Sequence, residues 1–242
     1  MRTLAMDCAT KTIGLALLEE ETVRAELYLQ PVRHHSEVLL PAFDRLLSLA
    51  ATTPREVELL ACTVGPGSFT GVRIGVSTVK GLALAMSVPV AGVSTLETLA
   101  MNAVSSPGLI CPLLDAGNNQ VYAGLFRTDA DGLPRAADEE KLIDIGTLLK
   151  DMDRDTVLFL GEGAARHREL IQGACRSFTC SPGRQRLMAS AVGIIGLHRY
   201  RRGGVLDTAD FKPRYLRPSE AERSMGVSAP SAPAGGCPPV IV

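Results

Sequence analysis

The sequence predicts an α/β protein built from two similar lobes, each with a mixed sheet flanked by helices. The first third of the chain has the order strand, strand, strand, helix, strand, helix. A similar order restarts after the Ser-Ser-Pro-Gly break at residues 105–108. The chain has 242 residues, of which 46% are hydrophobic and 21% are charged, so it can bury a substantial core and does not have the composition of a disordered protein.

The predicted strands of the first lobe are short apolar runs separated by turn residues or charges. They cover residues 3–7, 13–18, 23–29 and 57–64, and residues 88–92 are a candidate fifth strand. A helix is predicted after Ser36, a suitable N-cap, because apolar residues then recur with helical spacing. Pro41 either lies in a distorted first turn or moves the start of this helix later.

The predicted second lobe repeats this pattern in a shortened form. Its strands cover residues 110–114, 121–126, 157–160 and 177–180, with helices near 145–152 and 187–201. The order suggests an actin-like duplicated architecture. We therefore expect a first lobe at residues 1–104 and a second lobe at residues 105–218, and the last helix of the second lobe can pack back on the first lobe. Residues 219–242, where Ser, Pro, Ala and Gly dominate, are expected to form a flexible tail.

Charge and hydropathy argue against two classes of protein. The net charge of -1 and the pI near 6.4 are not those of a domain that binds nucleic acid by itself. A group of basic residues near the C-terminus is interpreted as solvated side chains in preference to a phosphate-contacting patch. This group is Arg199, Arg201, Arg202, Lys212, Arg214 and Arg217. The longest uncharged run, between Lys80 and Glu97, is too short to cross a membrane, and Asp7 interrupts the first apolar run, so we expect a cytoplasmic protein.

The most informative segment is the glycine run at residues 65–75, which lies between a buried strand and a long helix. A turn of this kind can bind phosphate, but its glycine spacing is one residue too long for a dinucleotide fingerprint, and Lys80 lacks the neighbours of a Walker lysine. Ser68 does not lie in the G-x-S-x-G pattern of a nucleophile. We expect Ser68 to cap the helix that follows.

That helix, at residues 69–86, is nearly free of charge. Its only charged residues are Arg73 and Lys80, one heptad apart. A helix that is apolar on more than one side must be covered on more than one side, and its own sheet supplies one cover. The sequence leaves two possibilities for what packs against the second apolar side of this helix. It is either another part of the same fold or a docked partner.

Several residues occupy the places where an actin-like ATPase holds a nucleotide. Asp7 and Thr10 follow the first strand, Asp115 follows the first strand of the second lobe, and Gly161 and Gly163 follow a later strand. We interpret them as remnants of a nucleotide site. An actin-like ATPase or phosphotransferase with a working site of its own is the alternative function.

The sequence identifies no catalytic residue and no metal site. His34 and His35 are adjacent, so their side chains diverge and cannot share an ion. His167 and His198 have no partner at ligand spacing. A peptidase ranks last among the functions considered, because no nucleophile and base can be identified.

These motifs resemble the bacterial TsaB (YeaZ) family of tRNA threonylcarbamoyladenosine biosynthesis proteins, in the actin-like ATPase (ASKHA, ribonuclease H-like) superfamily. The resemblance rests on the strand that ends in Asp7, the glycine run, Lys80-Gly81-Leu82-Ala83-Leu84-Ala85, Gly92-Val93-Ser94-Thr95-Leu96-Glu97 and Tyr215-Leu216-Arg217. It covers the chain as far as Arg217 and is most specific over residues 64–81.

The resemblance implies a protein without catalysis of its own that pairs with TsaD, the related subunit that modifies the adenosine beside the anticodon of tRNA. The helices after Ser36 and Gly67 would form the docking surface, and the same surface would make a homodimer when TsaD is absent. The residues expected there are Leu39, Phe43, Leu46, Leu47, Gly67, Ser68, Phe69, Gly71, Val72, Arg73, Gly75, Val76, Val79 and Leu82. The resemblance further implies that the ATPase TsaE is a component of the complex and that this chain contacts tRNA only through the complex. It also implies that the chain binds no cofactor independently and that ATP or ADP with Mg is bound only in the complex.

Overall fold

The structure is a computed structural model of the chain, and it describes residues 1–32, 34–152, 157–174, 178–179, 185–204 and 208–217. The chain divides into two compact units. The first unit consists of Met1–Ser94 together with the segment that starts at Met188, and the second unit is Thr95–Leu187. The predicted tail at 219–242 lies outside the described residues.

The described strands and helices give the order that the two-lobe prediction requires. In chain order they are β1 (Arg2–Asp7), β2 (Ile13–Glu19), β3 (Thr22–Leu29), α1 (His35–Leu49), β4 (Leu59–Gly65), α2 (Phe69–Met86), β5 (Val90–Ser94), α3 (Thr95–Ala100), β6 (Leu109–Gly117), β7 (Gln120–Ala123), β8 (Phe126–Thr128), β9 (Pro134–Ala136), β10 (Lys141–Asp144), α4 (Ile145–Asp151), β11 (Val157–Leu160), α5 (Glu162–Arg166), α6 (Arg168–Ala174), β12 (Phe178–Thr179) and α7 (Ala189–Arg201). No helix in this part of the chain is both long enough and apolar enough to cross a membrane.

The sheet of the first unit has the strand order β3-β2-β1-β4-β5. Strands β1, β2 and β3 form an antiparallel meander, whereas β4 and β5 run parallel to β1. Side chains alternate between the two faces of a strand, so Leu4 and Met6 pack with α1 and α2 in the core, while Ala5 faces α7 on the opposite face. A Cβ at Gly196 of α7 would lie 2.6 Å from the Cβ of Ala61, so α7 depends on small residues to approach the sheet.

The sheet of the second unit repeats the first. Its main order is β10-β7-β6-β11-β12, in which β6, β7 and β10 are antiparallel neighbours and β11 and β12 run parallel to β6. Strands β8 and β9 are an addition that pairs with β6 through Ile110 and Phe126. The two units therefore share both strand order and strand direction, and the predicted α/β duplication with mixed sheets is confirmed.

The units divide at different residues from those the sequence suggested. Helix α3 lies in the second unit, where Leu99 packs close to Gly161 and α3 contacts β6. Helix α7 returns to the first unit and packs on β1, β2 and β4. The Ser-Ser-Pro-Gly segment at 105–108 is thus a turn inside the second unit, because a run of turn formers marks a change of chain direction as readily as a domain boundary.

Several elements differ from their predicted form. The predicted strand at 121–126 is interrupted after Ala123, where a Cβ at Gly124 would lie 2.7 Å from the ring of Phe126. The sequence assigns no strand between residues 126 and 157, but the structure has β9 and β10 there. Helix α1 begins at His35, before the predicted cap Ser36, and continues through Pro41. The predicted strand at 177–180 lies partly outside the described residues, which include only β12.

Candidate functional site

The glycine run joins β4 to α2 and packs against the turn that follows β1. The backbone N–H of Ser68 donates to the carbonyl oxygen of Ala9 at 2.7 Å. A Cβ at Gly67 would press on that oxygen, and a Cβ at Gly71 would press on the carbonyl oxygen of Cys8. The Ser68 hydroxyl accepts from the N–H of Gly71 at 3.2 Å, which confirms the predicted N-cap. The run is therefore shaped by contacts inside the first unit.

Gly75, one turn further along α2, also faces inward. A Cβ there would lie 3.2 Å from the Cβ of Cys8 and 3.6 Å from the Sγ of Cys62. Gly81 differs, because a Cβ at that position meets no atom within 4 Å. Of the glycines within α2, only Gly81 is open to a partner.

Most residues assigned to the docking surface by resemblance face the sheet of their own unit. Those that are buried are Leu39, Phe43, Leu46, Leu47, Gly71, Val72, Gly75, Val76 and Val79. They repeat every three or four residues, as expected for the stripe that a helix turns toward its core. In the folded chain these side chains are buried in their own unit, so their contact with a partner stays a prediction. Those that are exposed or half-buried are Gly67, Ser68, Phe69, Arg73 and Leu82.

The opposite side of α2 is the candidate docking surface. This outer side consists of Thr70, Ile74, Ser77, Thr78, Gly81, Leu84 and Ala85, all exposed or half-buried. Leu84 is 69% exposed, and on α1, which contacts α2, Leu40 is 49% exposed. Helix α2 contains no Asp or Glu. The sheet covers one side of α2 and leaves the other side, which Arg73 and Lys80 flank, uncovered in the described part of the chain.

A C-terminal segment, residues 208–217, is bound to the same unit, and we call it the strap. Phe211 is buried in the core of the first unit. The N–H of Arg214 donates to the carbonyl oxygen of Val64 at 2.7 Å. The ring of Tyr215 stacks on Phe69 in the first turn of α2, with centroids 4.4 Å apart and planes inclined by 12°. The strap therefore ends beside the candidate docking surface.

Five of the six basic residues near the C-terminus, all except Arg202, separate into two groups. Arg199 donates to the carbonyl oxygen of Gly92, and Arg201 pairs with Glu20 and Glu21 in the turn between β2 and β3. These two cations anchor α7 to its own unit. The strap carries the second group, which is Lys212, Arg214 and Arg217.

A cavity of about 420 Å³ opens between the turn after β1 and the first turns of α1 and α2. Its walls include Lys11, His34, His35 and Ser68. The Nε2 of His35 lies 3.1 Å from the carbonyl oxygen of Thr10, so this histidine ties the start of α1 to the β1–β2 turn. Among the described residues, no three His, Cys, Asp or Glu side chains are grouped closely enough to hold a metal ion.

Asp7 is the most unusual acid of the first unit, because its side chain is fully buried. Its Oδ1 accepts hydrogen bonds from the Thr63 hydroxyl at 2.6 Å and from the N–H of Ala9 at 3.1 Å. Its Oδ2 is buried and has no hydrogen-bond partner among the described residues. Burial raises the pKa of Asp7 above its ordinary value, and the two hydrogen bonds act in the opposite direction. Thr10 is half-buried, and its hydroxyl lies 3.0 Å from that of Thr12.

We expect Asp7→Asn to stabilise the chain at neutral pH. A carboxyl whose pKa is raised by folding is protonated in both states at low pH, and it penalises the folded state increasingly as pH rises through the unfolded and then the folded pKa. Asn keeps the oxygen that accepts from Thr63 and removes the charge. Urea unfolding should show a higher free energy of unfolding for the variant at pH 7. At pH 3 the gain should be much smaller, and a gain independent of pH would contradict the assignment.

Asp115 lies in the second unit and already has a cationic partner. Its Oδ2 accepts from Arg166 of α5 at 2.6 Å, and its Oδ1 accepts from the N–H of Gly117 at 3.3 Å. Gly161 has φ of 94°, and a Cβ there would press on the carbonyl oxygen of Leu113 in β6. A Cβ at Gly163 would also lie 3.0 Å from Leu113. The ion pair with Arg166 thus accounts for Asp115, and close packing against Leu113 accounts for Gly161 and Gly163.

The comparisons with known proteins decide the family. The family model for TsaD, tRNA N6-adenosine threonylcarbamoyltransferase, matches residues 28–221. The tRNA threonylcarbamoyladenosine biosynthesis protein TsaB of Bacillus subtilis (strain 168) is 35% identical over 226 residues, which is 92% of this chain and 96% of that protein. The chain belongs to the TsaD family and, within it, to the TsaB proteins. The resemblance to TsaB found in the sequence is thereby confirmed.

Solved structures confirm the fold of this TsaB-family chain. YeaZ from Pseudomonas aeruginosa matches with a TM-score of 0.77 and 28% identity, over 89% of this chain and 99% of that one. The ROK hexokinase from Thermus thermophilus matches with a TM-score of 0.50 and 11% identity, over 83% of this chain and 99% of that one. The second likeness concerns the fold alone. The actin-like two-lobe fold expected from the sequence is confirmed.

Proposed function

We propose that this chain is a non-catalytic subunit that binds and activates TsaD. Membership of the TsaB family assigns the chain to the biosynthesis of threonylcarbamoyladenosine in tRNA. In the proposed complex, TsaD transfers threonylcarbamoyl from threonylcarbamoyl-AMP to the adenosine next to the anticodon. This chain contributes the docking surface and no reacting group.

The observation that carries the proposal is the uncovered outer side of α2, a helix that has no acidic residue. Exposed leucines are common singly, but Leu84 shares its side of the helix with Ile74, Gly81 and Ala85, and α2 has no carboxylate. Gly81 leaves room for the close approach of another helix. Together with Leu40 of α1, this side suits a helix pair from a related subunit, which would give a four-helix contact.

The charges of α2 favour a different subunit over a second copy. Both charged residues of α2, Arg73 and Lys80, are positive. A two-fold contact between identical surfaces brings such charges toward their own copies, which costs binding energy. A related subunit with carboxylates at the matching positions removes this repulsion. We propose that a weaker homodimer forms through the same surface when TsaD is absent.

The described groups of the chain support a role without catalysis. In the second unit, Arg166 holds Asp115, so this carboxylate is not available to a nucleotide-bound cation. In the first unit, the buried Oδ2 of Asp7 has no hydrogen-bond partner among the described residues, and a carboxylate suits Mg²⁺, which binds through one or two carboxylates and substrate phosphates. We propose that ATP or ADP with Mg enters only in the complex, where TsaE takes part and where tRNA is contacted through TsaD.

The experiment compares Leu84→Asp with Leu170→Asp in a reconstituted modification reaction. Leu170 on α6 is 54% exposed and gives a matched substitution in the second unit, whereas the docking surface belongs to the first. Adding the unsubstituted chain to TsaD should raise the rate of threonylcarbamoyladenosine formation. Leu84→Asp should lower that stimulation at least tenfold, because an unpaired carboxylate would be buried against the partner, and Leu170→Asp should keep it. Full stimulation by a folded Leu84→Asp variant would contradict the proposal.

An ATPase or phosphotransferase with its own site is the second candidate, and the buried Oδ2 of Asp7, which has no hydrogen-bond partner among the described residues, favours it. The Asp7→Asn variant also tests this function. Calorimetry of the isolated chain with ATP and Mg²⁺ would support the second candidate if binding and turnover were both present and both lost in the variant. Absence of turnover in the isolated chain agrees with the activating role.

A further inference from the structure

Arg73 is held in one orientation by two aromatic rings. Its Nε donates to the hydroxyl of Tyr215 at 2.8 Å. The guanidinium carbon lies 5.2 Å from the ring centroid of Phe69 and 5.5 Å from that of Tyr215. Most exposed arginines lose side-chain freedom when they bind a partner, and this loss opposes binding. Much of that loss has already occurred at Arg73 in the free chain.

The part of Arg73 that remains open is its terminal fork. The residue is exposed, and no described residue accepts a hydrogen bond from its two terminal nitrogens. A guanidinium presents these donors in a fixed plane that matches the two oxygens of a carboxylate. Lys lacks this geometry, because its ammonium is a single point of charge. The open group is therefore a bidentate binding site for a planar oxyanion.

The strap holds Tyr215 in place by contacts that do not involve Arg73. Phe211 lies in the core, and its ring would be 3.4 Å from a Cβ at Gly92. Arg214 is joined through its N–H to Val64, and a Cβ at Gly65 would lie 2.6 Å from its carbonyl oxygen. The aromatic support of Arg73 thus rests on backbone contacts and core packing, so it is in position before a partner arrives.

We propose that Arg73, oriented by Phe69 and Tyr215, is the specificity contact of the docking surface and binds a carboxylate of TsaD through its terminal fork. This inference rests on the proposed function and names the residue that selects the partner. Arginine and tyrosine in such a position are frequent among the residues that dominate binding energy. The contact also accounts for the Tyr215-Leu216-Arg217 motif, to which the docking helices alone give no role.

A carboxylate is favoured over a nucleic-acid phosphate by the surroundings of Arg73. The adjacent outer side of α2 is uncharged, and the net charge of the chain is -1. A surface that binds a polyanion needs a continuous patch of basic side chains, and apolar residues such as Leu84 interrupt such a patch. A largely apolar surface flanked by Arg73 and Lys80 fits a protein partner that carries matching acids.

The test measures the affinity of the full chain for TsaD by calorimetry, with Arg73→Lys, Tyr215→Phe and the double variant. Arg73→Lys keeps the charge and loses the fork, whereas Tyr215→Phe keeps the stack and loses the hydroxyl that orients Arg73. Each should weaken binding about tenfold, and the double variant should weaken it by less than the product, because both changes disable one contact. Arg55→Ala, an exposed arginine in the turn before β4, is the matched control and should bind normally.

The outcomes separate this inference from the proposed function. Normal affinity in Arg73→Lys and Tyr215→Phe overturns the inference, and the proposed function stands if Leu84→Asp still loses TsaD. Failure of the unsubstituted chain to bind TsaD overturns both. A tRNA titration of the assembled complex gives the remaining outcome. If Arg73→Lys weakens tRNA binding and leaves TsaD binding intact, the oxyanion is a phosphate and the carboxylate assignment is overturned.

Discussion

Gly81→Arg is expected to lower the affinity of the chain for TsaD at least a hundredfold while the chain remains folded. A Cβ at Gly81 meets no atom within 4 Å, so the long side chain extends into solvent in the free chain and into the partner in the complex. Arginine also favours helix over glycine by roughly 0.5–1 kcal/mol, so thermal unfolding should show equal or higher stability. Loss of binding without loss of stability identifies a surface effect, and calorimetry measures the binding.

Two further glycines provide the controls for this experiment. Gly173 on α6 also has no atom within 4 Å of a Cβ, so Gly173→Arg should retain TsaD affinity. Gly75→Arg is not equivalent, since its side chain would enter the space beside Cys8 and Cys62, and we expect that variant to unfold. Normal affinity in a folded Gly81→Arg variant would exclude the outer side of α2 as the docking surface.

Gly71→Ala is expected to destabilise the chain by about 1–3 kcal/mol, although it adds a single methyl group. The added Cβ would press on the carbonyl oxygen of Cys8, and a backbone atom cannot turn away as a side chain can. Gly81→Ala in the same helix is the matched control and should raise stability by up to about 1 kcal/mol. Urea unfolding of the two variants measures both changes.

Opposite signs for these two substitutions would establish that the glycine run serves the interior of the first unit. Equal effects of Gly71→Ala and Gly81→Ala would contradict the packing described for α2. The distinction matters for function, because substitutions of the inward-facing glycines Gly67, Gly71 and Gly75 would then reduce TsaD binding only by unfolding the chain. Variants of the outer side are the informative ones.

The order of strands and helices follows from apolar periodicity and turn residues, and so it could be predicted. The buried run at 157–160 coincides with β11, and the cap at Ser68 has the predicted partner. β10 was not predicted, because it has only four residues, none of them is fully buried, and their exposure does not alternate along the strand. The strap was not predicted as a structural element either, since Phe211 and Tyr215 are single anchors without a repeating pattern.

The sequence predicts that the candidate docking surface lies on a helix, but it does not predict which side of that helix is exposed. Val79 and Leu84 are both apolar residues of α2, yet Val79 lies in the core and Leu84 is exposed. A helix with apolar residues on more than one side does not reveal which side its sheet will take. The ion pair between Asp115 and Arg166 joins residues 51 positions apart, and such a pair becomes visible only when the strands are assembled.

The first unit is assembled from both ends of the chain, whereas the second is a continuous segment. A ribosome completes all of Thr95–Leu187 before it makes the helix and the phenylalanine that close the earlier lobe. During synthesis the amino-terminal domain of a protein usually folds first. In this chain the second unit can finish folding before the first unit does. The amino-terminal meander must wait with an uncovered face until α7 emerges, and a nascent chain that stalls before this point cannot finish the lobe that carries the docking helices.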